Sequence, residues 1–194
     1  MTVGIHQCNL MPYEGIVDRA RHCDRFVILT WAQYSPGNYH NRFNCLGKWY
    51  TMSVHRGLEP LVMKHYAAPW ADWEAIKRRI APHYAGLLTA FDDCIDDSLA
   101  TTNIAIIRRL LALLGIGCEV VLDYETPLTG TARLVDLCRH YGATTYLSGP
   151  SGPKYMDMEA FTAAGIDVEV QEPTAGRAAV EVLAEVKRGG QSNG

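Results

Sequence analysis

The chain has 194 residues, 48% of them hydrophobic and 20% charged, which is enough apolar material for one sizeable core and too much for a disordered chain. A formal net charge of −3 argues against broad non-specific nucleic-acid binding and leaves only a local basic patch open. No basic start followed by a long apolar run marks a secretory signal, and no stretch reaches the ~18 uninterrupted apolar residues of a membrane span. A cytoplasmic protein with no membrane partner is therefore expected.

Residues 2–7, TVGIHQ, read as a short buried strand that ends on His6 and Gln7, with Cys8 and Asn9 next. Residues 14–23 place Ile16, Val17, Ala20 and Cys23 at helical spacing. Residues 25–30, RFVILT, read as a second apolar strand, at the separation expected of a βαβ unit. Residues 31–48 are rich in Asn, Tyr, Gly and Pro and read as a long loop, a kind of segment that is usually functional when ordered. KWYTMSV follows as a strand over 48–54. A helix opens near Pro69 and carries Trp73, Ile76 and Ile80 on one face until Pro82 breaks or kinks it. Residues 101–116 give a second helix with Gly115 as its C-terminal cap.

The last third alternates strand 118–123, helix 130–142, strand 144–149, a loop to 155, helix 158–165, strand 166–172 and helix 177–189. This rhythm predicts a Rossmann-like α/β fold with a mainly parallel sheet covered on both faces. One domain is expected over residues 1–188, with a helical insertion near 69–114 and a disordered tail at 189–194.

Three polar segments follow three apolar strands: HQCN at 6–9, the stretch 31–42, and SGPSGPKY at 148–155. A parallel sheet gathers such segments at its carboxyl edge, where ligands of open α/β sheets bind. His6 titrates near neutrality and is a candidate general base; the alternative is a packed histidine bonded to backbone. Asn9 and Gln33 are amides that do not exchange protons at neutral pH and suit the positioning of a substrate carbonyl or amine. Arg42 is either a two-pronged clamp for phosphate or carboxylate or a surface arginine, and His40 beside it is expected in solvent. Ser148, Gly149, Ser151 and Tyr155 lie in a loop whose glycines let backbone amides approach an anion, although the P-loop pattern is absent.

Six cysteines, none in a C-x-x-C pair, read as buried free thiols. Cys8 alone lies in a polar segment. It is either a nucleophile, activated by His6 or a helix N-terminus, or a packed thiol. The aspartates of FDDCIDDS have no histidine beside them and read as a solvated helix end rather than a metal site. No motif has metal-ligand spacing, and none identifies a cofactor.

These residues resemble the WbqC-like family, whose members are typically encoded among bacterial polysaccharide (O-antigen) biosynthesis genes. HQCNLMPYEG is similar to the family's H-Q-P-x-x-x-P-x-x-G through His6, Gln7, Pro12 and Gly15. QYSPGNYHNR is similar to its Q-Y-x-x-x-x-x-x-N-R through Gln33, Tyr34, Asn41 and Arg42. NIAIIRRLLALLGI echoes its N-x-x-I-x-x-x-L-x-x-L-G-I helix, and RLVDLCRHYGATTYLSG its R-L-x-x-x-C-x-x-x-G-A-T-x-Y-L-S-G block. The resemblance spans roughly residues 3–173.

Three departures stand out. Cys8 replaces the usual proline. Thr30 and Trp31 replace the acidic pair that commonly precedes Gln-Tyr, which removes a carboxylate base there. The C-terminal region is compressed.

The resemblance implies a small-group transferase that forms a C–N bond on a nucleotide-linked amino sugar, by acylation or attachment of an amino acid such as glycine. His6 would then take a proton from the attacking amine. Asn9, Gln33 and Tyr34 would orient donor and acceptor, with Gln7 and Asn41 at the substrate. Arg42 and residues 148–151 would hold phosphate or carboxylate. The implied partner is a small-molecule or nucleotide-linked substrate. Two other readings stay open: the same chemistry on an activated pyrimidine in DNA hypermodification, and a non-catalytic nucleotide-sugar binding or assembly subunit. An adenylyl-transfer H-x-G-H motif lacks its last two members here.

Overall fold

Val3 and Ile5 point into one core and Gly4 faces Cys23 and Phe26 on the other side, the two-residue alternation of a strand covered on both faces. The computed structural model describes residues 1–191. Its elements run β1 (Thr2–Gln7), α1 (Glu14–Arg21), β2 (Arg25–Leu29), β3 (Arg42–Cys45), β4 (Lys48–Thr51), α2 (Pro69–Arg79), α3 (Pro82–Leu88), α4 (Leu99–Leu113), β5 (Glu119–Leu122), α5 (Gly130–His140), β6 (Thr145–Ser148), α6 (Met158–Ala163), β7 (Asp167–Val170) and α7 (Ala179–Gln191).

Five strands form one wholly parallel sheet in the order β5-β2-β1-β6-β7. Numbered among themselves they lie 3-2-1-4-5, the order of a Rossmann-like α/β sheet. The chain leaves β1 toward one edge and β6 toward the other. A crevice therefore opens between the carboxyl ends of these two central neighbours.

Phe26 and Ile28 meet Ile16 and Val17 of α1, Ile106 and Leu110 of α4, and Val180 and Leu183 of α7 on one face. Val3, Ile5, Val27 and Tyr146 meet Val135 and Leu137 of α5 and Phe161 of α6 on the other. The Tyr146 and Phe161 rings stack with centroids 5.2 Å apart. Full burial of each large apolar side chain contributes about 1.5–3 kcal/mol, so these two layers hold the sheet rigid beneath the crevice.

The expected helix from Pro69 is two helices. Pro82 occupies the first turn of α3, where its missing N–H leaves no bond unmade, and α2 has already ended at Arg79. Ser98 caps α4 by accepting the Thr101 amide at 3.2 Å, so this helix begins at Leu99 rather than 101. The stretch expected to be loop contains β3, which pairs antiparallel with β4 in a separate hairpin. Its two-residue turn, Leu46-Gly47, has positive φ at both positions, and Phe43, Cys45 and Tyr50 bury the inner side. Helix α7 takes in residues 189–191 of the expected tail, while 192–194 lie outside the described residues. Among the described residues no helix is long and apolar enough to cross a membrane.

Candidate functional site

The carboxyl ends of β1 and β6 border a cleft of about 520 Å³. Ile5, His6 and Gln7 form its floor, Tyr13 comes from the approach to α1 and Arg19 from the last turn of that helix, Arg133 from α5, and residues 149–152 with Tyr155 from the loop after β6.

His6 is fixed by its own backbone. Its Nδ1 lies 3.1 Å from the Gln7 carbonyl oxygen. A carbonyl only accepts, so Nδ1 carries the proton and the neutral ring keeps its lone pair on Nε2. Burial, reinforced by the Arg19 guanidinium, lowers the His6 pKa from 6.5 to about 4. The ring is therefore neutral at physiological pH.

His40 fixes Gln7. The buried His40 accepts the Ser35 amide at Nδ1, 3.4 Å away, so its Nε2–H donates to Gln7 Oε1 at 3.0 Å. Asn38 adds a donor to the same oxygen at 3.5 Å. The Gln7 amide oxygen is thus taken, and its NH₂ remains as the donor that this cleft residue offers a ligand. His40, expected in solvent, is fully buried because Gln7 and Tyr34 enclose it and Asn103 holds its carbonyl. Burial brings its pKa down to about 4.

These two histidines give stability a defined pH dependence. Their ordinary value is 6.5, and the fold lowers both to about 4. Below pH 6.5 the unfolded chain binds protons that the folded chain refuses. Their contribution is thus complete above pH 6.5 and is lost as pH falls toward 4. Urea midpoints measured from pH 7.5 to pH 4 should fall, and His40→Gln should flatten that fall. The same slope in the variant would assign the acid sensitivity to other groups.

Gly149, Ser151 and Tyr155 line the cleft with His6 and Gln7. A Cβ on Gly149 would collide with the Arg19 guanidinium, and one on Gly152 with Ser148 Oγ, so the loop sits as low as it does because both are glycine. Ser148 is buried beneath the loop and donates to the Gly149 carbonyl at 3.1 Å.

The other sequence candidates lie outside the cleft lining. Asn9 is buried, with no partner for its Oδ1. Tyr34 donates to Asn41 Oδ1 at 3.2 Å, and Asn41 donates to the Met52 carbonyl at 2.7 Å, so the two brace the hairpin. Gln33 is exposed and bridges to Pro60. Arg42 stacks over the Trp49 ring at 4.1 Å and donates to the Gly37 carbonyl. The Cys8 thiol is buried, and burial pushes its pKa far above the ordinary thiol value, which keeps it from being a thiolate at neutral pH.

Arg19 and Asp123 carry no sequence motif and emerge only in three dimensions. Asp123, at the end of β5, accepts the Thr30 amide at 2.6 Å, the Thr30 hydroxyl at 2.8 Å and the Trp31 amide at 3.2 Å, and it pairs with Arg133. A carboxylate from a neighbouring strand thus anchors Thr30 and Trp31, the two positions that lack carboxylates of their own. In FDDCIDDS, Asp92 accepts from Trp73 at 2.9 Å and Lys77 at 2.7 Å, and Asp93 pairs with Arg109 at 2.9 Å. Among the described residues no group of three or more His, Cys, Asp or Glu side chains is placed to hold a metal ion.

The uncharacterized protein Rv1507c of Mycobacterium tuberculosis is 27% identical over 184 residues, covering 86% of this chain and 80% of that protein. No solved structure matches the chain. The sequence profile of the WbqC-like protein family matches residues 7–176, from Gln7 on the cleft floor to the glycine before α7. That match takes in every loop around the cleft and most of the chain, and the protein belongs to the WbqC-like family.

Proposed function

We propose that this protein is a small-group transferase that joins an acyl or amino-acid group to an activated nucleotide-linked substrate, such as an amino sugar, through a new C–N bond. One observation carries the reading: a neutral His6, its Nδ1 proton committed to backbone, keeps a proton-accepting Nε2 at a Rossmann-like switch point. In the proposed step an amine nitrogen attacks the activated carbon. The C–N bond forms and the bond to the leaving group breaks. The amine proton passes to His6 Nε2 and from there to the leaving group. The Gln7 NH₂ and the backbone amides of Gly149 and Ser151 supply donors for the oxygen on which charge develops, since Pro150 has no N–H and the Gly152 amide is donated to the Gly149 carbonyl at 2.9 Å. Ser151 and Tyr155 add hydroxyls at the rim. A volume of about 520 Å³ suits a small-molecule substrate.

A second reading, in which the acceptor is a pyrimidine base of DNA, is favoured by a run of rings that leaves the cleft. His6 and Tyr13 lie 6.1 Å apart, Tyr13 and Tyr39 5.9 Å, and Tyr39 and Trp49 5.2 Å, with Arg42 over Trp49. Aromatic faces backed by a guanidinium stack unpaired bases.

The test is untargeted mass analysis of nucleotide-sugar pools and DNA treated with the purified protein and glycine or an acyl donor. A mass gain on a nucleotide-linked amino sugar is the expected result. A gain on DNA bases alone moves the acceptor to the second reading. Binding without any mass gain overturns both and leaves a non-catalytic binding subunit.

A further inference from the structure

Arg19 is a buried cation for which the proposed proton transfer has no use. It sits on α1 beneath the cleft, 4% exposed. Its Nη1 donates to the Ile5 carbonyl at 3.4 Å and its Nη2 to Gln171 Oε1 at 3.2 Å, while its buried Nε has no partner. Among the described residues it forms no ion pair, unlike Arg25, Arg109, Arg133 and Arg177. Asp18 reaches it only indirectly, through Gln171, which donates to that carboxylate at 2.6 Å.

A buried charge without a counter-charge is costly, and removal of a partner from a buried pair is one of the larger single losses a fold suffers. Here the missing negative charge has a place to sit. Arg19 lines the cleft, and the loop that lies over its guanidinium has glycine at 149, where any side chain would displace it.

We propose that Arg19 and residues 149–152 form an oxyanion subsite on the cleft floor, which takes a carboxylate or phosphate group of the substrate. This deepens the transferase reading and rests on its placement of substrate in the cleft. A guanidinium fork suits both groups, so the source is the carboxylate of an amino-acid donor or the phosphate of a nucleotide-linked acceptor. The subsite also couples binding to chemistry. The Arg19 charge acts on His6, and an anion seated on Arg19 cancels that field, so the base strengthens once substrate is in place.

Inorganic phosphate and acetate, titrated separately into the whole protein, test this without turnover. Calorimetry reads binding, and NMR of the His6 ring reads its titration. The expected result is saturable binding of at least one anion, with the His6 pKa raised at saturation. Phosphate alone assigns the subsite to the nucleotide-linked partner, and acetate alone to the donor carboxylate. Arg19→Gln should weaken binding about tenfold or more and make the His6 titration insensitive to either anion. Should Arg19→Gln fail to fold, Gly149→Ala keeps the charge and displaces the flexible guanidinium, with a comparable loss expected. The proposal is overturned if neither anion moves His6 in the parent, or if Gly149→Ala binds both as the parent does. Product formation without Arg19-dependent anion binding would sink the subsite and spare the transferase. Anion binding without any product would do the reverse.

Discussion

His6→Ala is expected to lower group-transfer turnover by about 10²–10⁴-fold with little change in substrate affinity. The asymmetry follows from what the side chain does. A proton acceptor is used as the amine loses its proton, so its interaction is made in the transition state and not in the ground state. The Nδ1 bond to Gln7 holds the ring in a single tautomer, so the lone pair stays on Nε2. The pH profile gives a second readout. With the free-enzyme pKa near 4, kcat/KM should rise with pH through that region and be level by neutrality, well below where an ordinary histidine would turn over. Turnover and calorimetric binding of the variant, measured after its unfolding midpoint has been checked, decide the matter. Parent-like turnover in His6→Ala would place the base elsewhere.

Asp123→Ala is expected to destabilise the fold by about 3–5 kcal/mol, the usual cost of breaking a buried ion pair from one side. The loss has two parts. Arg133 becomes an uncompensated cation, and the amides of Thr30 and Trp31 lose the acceptor that ends β2. Asp123→Asn keeps the shape and one acceptor oxygen and should cost less. Asp123→Ala combined with Arg133→Ala should recover part of the loss, because the stranded charge is gone. Urea unfolding of the four proteins reads these differences. An Asp123→Ala midpoint equal to that of the parent would show that solvent replaces the carboxylate at no cost. Arg133 lines the cleft, so the single variant should also lose ligand affinity.

The sheet was legible because its strands are short apolar runs set at βαβ spacing, and their length, bounding residues and β-branched content separate such runs from helices. Of the β3–β4 hairpin, β4 was legible within the expected strand 48–54, whereas β3 was hidden because Phe43 and Cys45 alternate with Asn44 and sit among glycines and asparagines that read as loop. Within the site, His6, Gln7 and the loop after β6 follow directly from a strand-end rule. Arg19 does not. On α1 it looks like one more charge between Asp18 and Arg21, and only the approach of β1 and Gly149 shows that it is buried. Arg42 is the opposite case: its motif suggests a clamp, and the structure adds a Trp49 ring from across the hairpin turn stacked on the guanidinium face, which the motif does not foretell. Both cases depend on which residues are distant in sequence and close in space, which no spacing rule contains.

The two outer strands of the sheet, β5 and β7, are each only four residues long. Glu119 stands exposed on one, and Asp167 and Glu169 on the other. Glu119 is held by Arg25, but two copies meeting edge to edge on β7 would bring Asp167 and Glu169 together while the short strands offered few backbone bonds in return. A short acidic border of this kind discourages an open sheet from recruiting another strand at β7, while at β5 the Arg108 guanidinium and the Tyr141 hydroxyl take the Val120 and Leu122 carbonyls that an added strand would need.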